Sequence, residues 1–137
     1  MTLGSFTTGD QFAPRSFGPI DLAWVRRYAA ASGDDNPIHV DADAARAIGL
    51  ARPIVQGMLL MGLTDTALAG WLPGAQCDKL STRFALPVAV GETVSVAARV
   101  VRADIAEDRP RLTLRIFLRD GADKVLALAE AIVSEPA

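Results

Sequence analysis

The sequence predicts an α+β fold in which a curved antiparallel sheet is wrapped around one long, central apolar helix. Segments with strand-like alternation follow one another through the second half of the chain, and an apolar stretch at 58–71 precedes them. A helix that is apolar on most of its circumference must be covered, and the strands can cover it. With 137 residues, the chain is long enough for one domain with its own core, which we expect to span 1–137.

The first helix is predicted at 21–32. Asp21 is a residue type that caps a helix N-terminus, and Gly33 is one that ends a helix in a left-handed turn. A sharp turn should follow, because Pro37 disfavours a helical conformation at Asn36.

Two further helices are predicted before the main group of strands. Asp41 or Asp43 can begin a short helix that continues to Ala47, and Gly49 would close it. The apolar stretch 58–71 is followed by a Pro-Gly stop signal, and it predicts the long central helix. We expect this helix to be buried rather than to lie on the surface.

Strands account for most of the remaining chain. Turn signals at 87–91, 104–110 and 120–121 separate the predicted strands, and they favour antiparallel, meandering pairs. An early strand at 11–17 can join the sheet. The main strands are predicted at 80–88, 93–102, 111–118 and 124–133.

Composition excludes several classes of function. A formal net charge of −2 gives no electrostatic argument for nucleic-acid binding. Cys77 is the only cysteine and His39 the only histidine, so we expect no disulfide within the chain and no metal site, and a reducing, cytoplasmic setting. The N-terminus lacks the pattern of a signal peptide, and polar residues interrupt the longest apolar segment. We therefore expect a soluble protein that makes no contact with a membrane.

Asp34 and His39 lie five positions apart across the predicted turn. Their side chains have unperturbed pKa values of about 4 and about 6.5, so both can exchange protons near neutrality. The spacing alone is also compatible with a turn-forming aspartate and a structural histidine. Gly57, at the entry of the central helix, would present free N–H groups and the positive end of the helix dipole to an oxygen that gains negative charge.

Two segments, 28–39 (YAAASGDDNPIH) and 52–59 (RPIVQGML), resemble the signature of the MaoC-like hydratases. This family includes (R)-specific enoyl-CoA hydratases and related acyl-carrier-protein dehydratases. The resemblance continues at 84–88 (FALPV) and 91–94 (GETV), so it covers nearly the whole chain. It implies a hot-dog fold, a homodimer or higher homo-oligomer whose sheets join, and reversible hydration of trans-2-enoyl thioesters to (R)-3-hydroxyacyl thioesters.

The resemblance also implies the roles of particular residues. Asp34 and His39 correspond to the catalytic pair, Asn36 helps to hold their loop, and the N–H of Gly57 serves the oxyanion hole. Gln56 departs from the histidine that is common before this glycine, which matters little if the catalytic group is the backbone N–H. The implied reaction needs no metal or redox cofactor. Coenzyme A or phosphopantetheine enters only as the carrier part of the substrate.

The remaining candidates would bind substrate. The acyl chain is expected to run beside Met58, Met61, Gly62 and Leu63, where methionine and glycine offer adaptable space. Packing against the sheet is an equal alternative for Met58 and Leu63. Basic residues that could contact the phosphates of the carrier, although exposed basic residues are usually only solvated, are Arg52, Lys79 and Arg83.

Two alternatives to a hydratase remain open. In a hot-dog thioesterase, a carboxylate would direct water at C1 of the thioester instead of C3. In a dehydratase assembly, one subunit can bind acyl thioesters without catalysis. The presence of both Asp34 and His39 argues against each alternative. Acyl chain length, carrier, pathway and direction of flux are left open by the sequence.

Overall fold

The helices of the computed structural model, which describes residues 2–137, begin where the sequence predicts. The Asp21 carboxylate accepts the N–H of Trp24 at 2.8 Å, and Gly33 ends the first helix with φ +77°. The Asp41 carboxylate caps the second helix in the same way. The three helices are α1 (Leu22–Ser32), α2 (Ala42–Ala47) and α3 (Gly57–Trp71), and 3₁₀ turns lie at Leu3–Ser5 and Pro37–His39.

A five-stranded sheet forms one layer, and every neighbouring pair of strands is antiparallel. The order across the sheet is β1-β3-β4-β5-β2, so β1 and β2 are the edges. Alternate residues of β3 and β4 are buried, and they share one apolar core with the inner face of α3. The strands are β1 (Gln11–Phe17), β2 (Gln76–Phe84), β3 (Val94–Ala106), β4 (Arg109–Arg119) and β5 (Val125–Ser134).

The expected strand at 80–88 was wrong in position and in pairing. The strand runs over Gln76–Phe84, and its neighbour is β5 rather than the next strand along the chain. The apolar residues after it leave the sheet and bond to the segment before α3, where the N–H of Val55 donates to the carbonyl of Val88 at 2.8 Å. These apolar residues therefore lead into a local bridge, between Ile54 and Ala89, and not into a strand of the sheet.

The expected long turn at 104–110 was also wrong. β3 and β4 continue to the pair Ala106–Arg109, and only Glu107 and Asp108 form the turn. Both turn residues have a positive φ, of 52° and 60°, as two-residue hairpins of the primed type require. The usual asparagine or glycine is absent from this turn, so the sequence signal for a tight hairpin was weak.

The expected sheet around a central apolar helix is confirmed, but the sheet covers only one side of α3. Leu59, Leu60 and Leu63 face the sheet and are buried, whereas Met58 is 60% exposed. Five strands of one chain are too few to surround a helix, so its outer face remains accessible in the single chain. Among the helices described between Thr2 and Ala137, none has the length and apolar character needed to cross a membrane.

Candidate active site

The turn between α1 and α2 brings Asp34 and His39 together. Asp34 Oδ2 lies 3.4 Å from His39 Nε2. Asp34 Oδ1 accepts the N–H of Asn36 at 3.4 Å, and the Asn36 side chain accepts the N–H of Ile38 at 3.2 Å. The Ser32 hydroxyl accepts the N–H of Asp34 at 3.1 Å. Short side chains thus fold the loop on itself, and the free carboxylate oxygen of Asp34 points at the imidazole.

The tautomer of His39 is fixed by a backbone carbonyl. Nδ1 of His39 lies 2.7 Å from the carbonyl oxygen of Ile54, which can only accept a hydrogen bond. Nδ1 therefore carries a hydrogen, and in the neutral ring the lone pair is on Nε2, which faces Asp34. His39 is 8% exposed, whereas the side chain of Asp34 is 41% exposed. His39 thus forms the buried side of the pair, and Asp34 forms a side that is open to a water molecule.

The N-terminus of α3 supplies hydrogen-bond donors beside this pair. The first residue of the helix is Gly57, and no side chain within residues 2–137 caps this end. The first N–H of the helix that donates to a backbone carbonyl is that of Leu60, which bonds to the carbonyl of Gln56 at 3.2 Å. The N–H of Gly57 is therefore available, at the positive end of the helix dipole.

His39 and Gly57 line the same cavity, which has a volume of about 270 Å³. The other walls are mostly apolar and include Ile54, Leu60, Phe84 and Leu86. A cavity that combines one imidazole, a free N–H and apolar walls suits a small acyl group with a polarised carbonyl. The structure therefore brings the His39 imidazole and the first residue of α3 to the wall of one cavity.

The candidate residues for acyl binding lie elsewhere on α3. Met58 and Gly62 are on its exposed face, Met61 is half-buried and Leu63 belongs to the core. The lining of the described cavity includes Leu60 but none of these four. Their contact with an acyl chain stays a prediction.

The three basic candidates do not converge on the cavity. A guanidinium nitrogen of Arg52 lies 3.6 Å from a carboxylate oxygen of Glu92, and the guanidinium also donates to the carbonyl of Val90 at 3.4 Å. Lys79 and Arg83 are exposed on β2. Their contact with carrier phosphates stays a prediction.

Sequence reasoning missed two contributors to the site. The carbonyl of Ile54 orients His39, and a backbone group has no side-chain signature that a pattern could show. Phe84 lies against Gly57 and forms a wall of the cavity. The sequence indicates Phe84 only as part of the resemblance, since an exposed aromatic residue in a strand gives no indication of its long-range neighbours.

The sequence of this chain is similar to those of known proteins over most of its length. A family model described as "MaoC like domain" matches residues 6–115. The chain is 39% identical to an (R)-specific enoyl-CoA hydratase of Aeromonas caviae over 126 residues, which are 89% of each protein. It is 28% identical to a mitochondrial 3-hydroxyacyl-[acyl-carrier-protein] dehydratase of Solanum lycopersicum over 118 residues, which are 82% of this chain and 72% of the relative.

A solved structure agrees over almost the whole chain. The (R)-hydratase from A. caviae involved in PHA biosynthesis superposes with a TM-score of 0.85 at 34% identity, over 96% of this chain and 98% of that one. The match confirms the hot-dog fold that the sequence resemblance implied.

Proposed function

Because this chain belongs to the MaoC-like domain family and is a hydratase or dehydratase of enoyl thioesters, we propose that Asp34 and His39 form the acid–base pair that moves the protons. The reaction is the reversible addition of water to a trans-2-enoyl thioester, which gives an (R)-3-hydroxyacyl thioester. The observation that carries the assignment is the 3.4 Å approach of Asp34 Oδ2 to His39 Nε2 beside the cavity that Gly57 shares with His39.

One water molecule held between the two side chains would be the nucleophile. Nε2 of neutral His39 and the Asp34 carboxylate both accept hydrogen bonds, and a water molecule has two hydrogens to donate. As its oxygen bonds to C3, one of its protons passes to this pair. The Ile54 carbonyl keeps the hydrogen of the neutral imidazole on Nδ1. Nε2 is therefore the ring atom that can accept the proton from the water molecule.

The electrons of the C2=C3 bond move towards the thioester carbonyl in the same step, and the oxygen gains negative charge. The Gly57 N–H donates to this oxygen, a contribution of about 3 kcal/mol for a single donor. The enolate then collapses as the proton held by the pair is delivered to C2. The net change is the addition of H and OH across one double bond, with both side chains restored, and it requires no metal or redox cofactor.

The carrier is coenzyme A or the phosphopantetheine arm of a carrier protein. The relatives described above include a hydratase named for CoA substrates and a dehydratase named for carrier-protein substrates. Both carriers present the same thioester to the cavity and differ only beyond it. A comparison of kcat/KM for crotonyl-CoA and for a crotonyl-loaded carrier protein separates the two.

The functional unit is a homodimer. Strand β2 is an edge of the sheet, and its backbone groups on the side away from β5 are available for pairing. Exposed apolar side chains lie at its end and on the outer face of α3, namely Phe84, Leu86 and Met58. Pairing of two copies through this region would cover both the edge and these side chains.

Incubation of the purified protein with crotonyl-CoA and longer enoyl-CoAs tests the proposal. We expect the enoyl absorbance to fall and the product to be the (R)-3-hydroxyacyl thioester. Release of free CoA without hydration would instead identify a thioesterase, and binding of enoyl-CoA without turnover would identify a noncatalytic subunit.

A further inference from the structure

Gln56 is the buried residue immediately before Gly57. Its side chain is completely inaccessible to solvent, and it does not cap α3 although it occupies the N-cap position. Its amide Nε2 instead donates a hydrogen bond to the main-chain carbonyl of Val25 at 3.0 Å. Val25 is a buried residue in the first turn of α1, so this bond joins the start of α3 to the start of α1.

The bond connects the two parts of the active site. Helix α1 ends at Gly33, directly before Asp34, and α3 begins with Gly57. The two residues before Gln56 are also fixed, because Ile54 accepts from His39 and Val55 donates to Val88. Both contacts use main-chain groups of residues 54 and 55, so a substitution there does not remove them. The contact of Gln56 uses its side-chain amide, so a substitution can remove it.

Stability does not explain a glutamine here. Gln56 Oε1 has no hydrogen-bond partner among the residues that the structure describes, and a buried acceptor in this state destabilises the fold. The Val25 carbonyl lies inside a helix, where regular bonding already gives it a partner four residues on. An apolar side chain of similar size would avoid the buried acceptor and leave α1 intact.

We infer that Gln56 is a positioning residue, which holds the N-terminus of α3 against α1 and so fixes the Gly57 N–H relative to Asp34 and His39. This inference rests on the function proposed above. A donor that is displaced by a fraction of an ångström stabilises the developing oxyanion less, whereas it changes ground-state binding little. The role should therefore be visible in kcat more than in KM.

Gln56→Met and Gln56→His test this role. Methionine keeps the length of the side chain but cannot donate, so we expect kcat on crotonyl-CoA to fall about 10- to 100-fold. KM should change less than about threefold, and the melting temperature should not decrease, since the unpaired Oε1 is gone. Histidine has a ring N–H that can donate to the Val25 carbonyl, so Gln56→His should keep most of the turnover.

Thr64→Val is the matched control. Thr64 is also buried on α3, and its hydroxyl donates to the carbonyl of Leu60 one turn earlier, away from the junction with α1. This variant removes a buried polar group from the same helix, and its kcat should stay within about twofold of wild type.

Three results would overturn the inference. The first is a Gln56→Met protein with unchanged kcat, and the second is a loss of kcat that Thr64→Val reproduces. The third is that neither the Gln56→Met nor the Gln56→Leu variant folds, which would show that Gln56 is needed for the stability of the fold. An inactive wild-type protein would overturn the proposed function itself, and with it this role, so the two failures are distinguishable.

Discussion

The ring of Phe84 lies against Gly57, so closely that a Cβ at position 57 would be 3.2 Å from Phe84 Cζ. Glycine is therefore favoured here by a close contact and not by an unusual backbone angle, because the residue is the first of a regular helix. Both residues line the cavity beside His39.

Replacing Gly57 with proline tests the oxyanion donor. Proline is tolerated at the first position of a helix, and Gln56 already has the extended conformation that a residue before proline needs, with ψ 135°. The change removes one N–H, so kcat should fall about 10²- to 10³-fold. Gly57→Ala is the control, since it introduces the contact with Phe84 but keeps the N–H. Equal losses in the two variants would assign the effect to the ring and not to the donor.

Asp34→Asn and His39→Gln should each lower kcat about 10²- to 10⁴-fold, because each removes one member of a pair that serves one water molecule. The double variant should lose little more, as residues that act as a unit are not additive. Asp35→Asn, at an exposed neighbouring carboxylate, is the control for a change of charge in the loop. Strictly multiplicative losses would mean independent roles, and normal turnover in a single variant would remove that residue from the mechanism.

The contribution of Asp104 to the stability of the protein should be lost at low pH. Two hydrogen bonds from Arg111, of 2.9 and 2.8 Å, lower the pKa of the Asp104 carboxyl below its usual range. A carboxyl whose pKa is lowered by folding stabilises the native state above about pH 4, and this contribution is lost as the pH falls through the lowered value. The difference in melting temperature between wild type and Asp104→Asn should be constant from pH 6 to about 4 and shrink below that.

Glu135 provides the background for that measurement. The Thr2 hydroxyl and the N–H of Leu3 both donate to its carboxylate at 2.7 Å, and the Thr2 hydrogen bond is the main cause of its lowered pKa. Because Glu135 titrates in both proteins, it cancels in the comparison. A difference that grows as the pH falls would contradict the assignment to Asp104.

The core should be sensitive at Leu114, which is fully buried in the middle of β4. Leu114→Ala should lower the free energy of unfolding by about 2–5 kcal/mol, through lost burial and the cavity left behind. Ile105 is 73% exposed, so Ile105→Ala should stay within about 0.5 kcal/mol of wild type. Urea unfolding with an unchanged m-value measures both, and similar losses in the two would refute this location of the core.

The chain should sediment as a dimer at micromolar concentration, because the β2 edge and nearby apolar side chains need cover. Activity per chain should fall on dilution into the range where the dimer dissociates. A folded monomer with full hydratase activity would contradict the proposed assembly.

Local signals predicted much of this structure, because caps and alternation are properties of neighbouring residues. Asp21 and Gly33 bound α1 as expected, and the alternation in β3 and β4 marked their buried face. The family and the hot-dog fold, which the resemblance implied, are confirmed. The boundary at 1–137, the cytoplasmic setting and the site roles stay predictions.

Non-local relationships could not be predicted from such signals. The register of β2 depends on β5, about fifty residues later in the chain. The polar start of β2 reflects an edge strand, whereas the apolar residues after Phe84 lead into a bridge with the segment before α3. The approach of Gly57 to Phe84 and the orientation of His39 by Ile54 are likewise set by tertiary packing.

The pairing of β2 with β5 also determines when the fold can be completed during synthesis. β2 is translated long before its neighbour, which is the last strand of the chain. A nascent chain therefore carries α3 and an unpaired β2 until β5 has left the ribosome. Such late, long-range pairing slows folding, and until it occurs the apolar surface of α3 and the unpaired edges of β2 stay exposed to aggregation. Truncations that remove β5 should consequently yield aggregated chains, and a chaperone that shields β2 and α3 should raise the yield of the full-length protein.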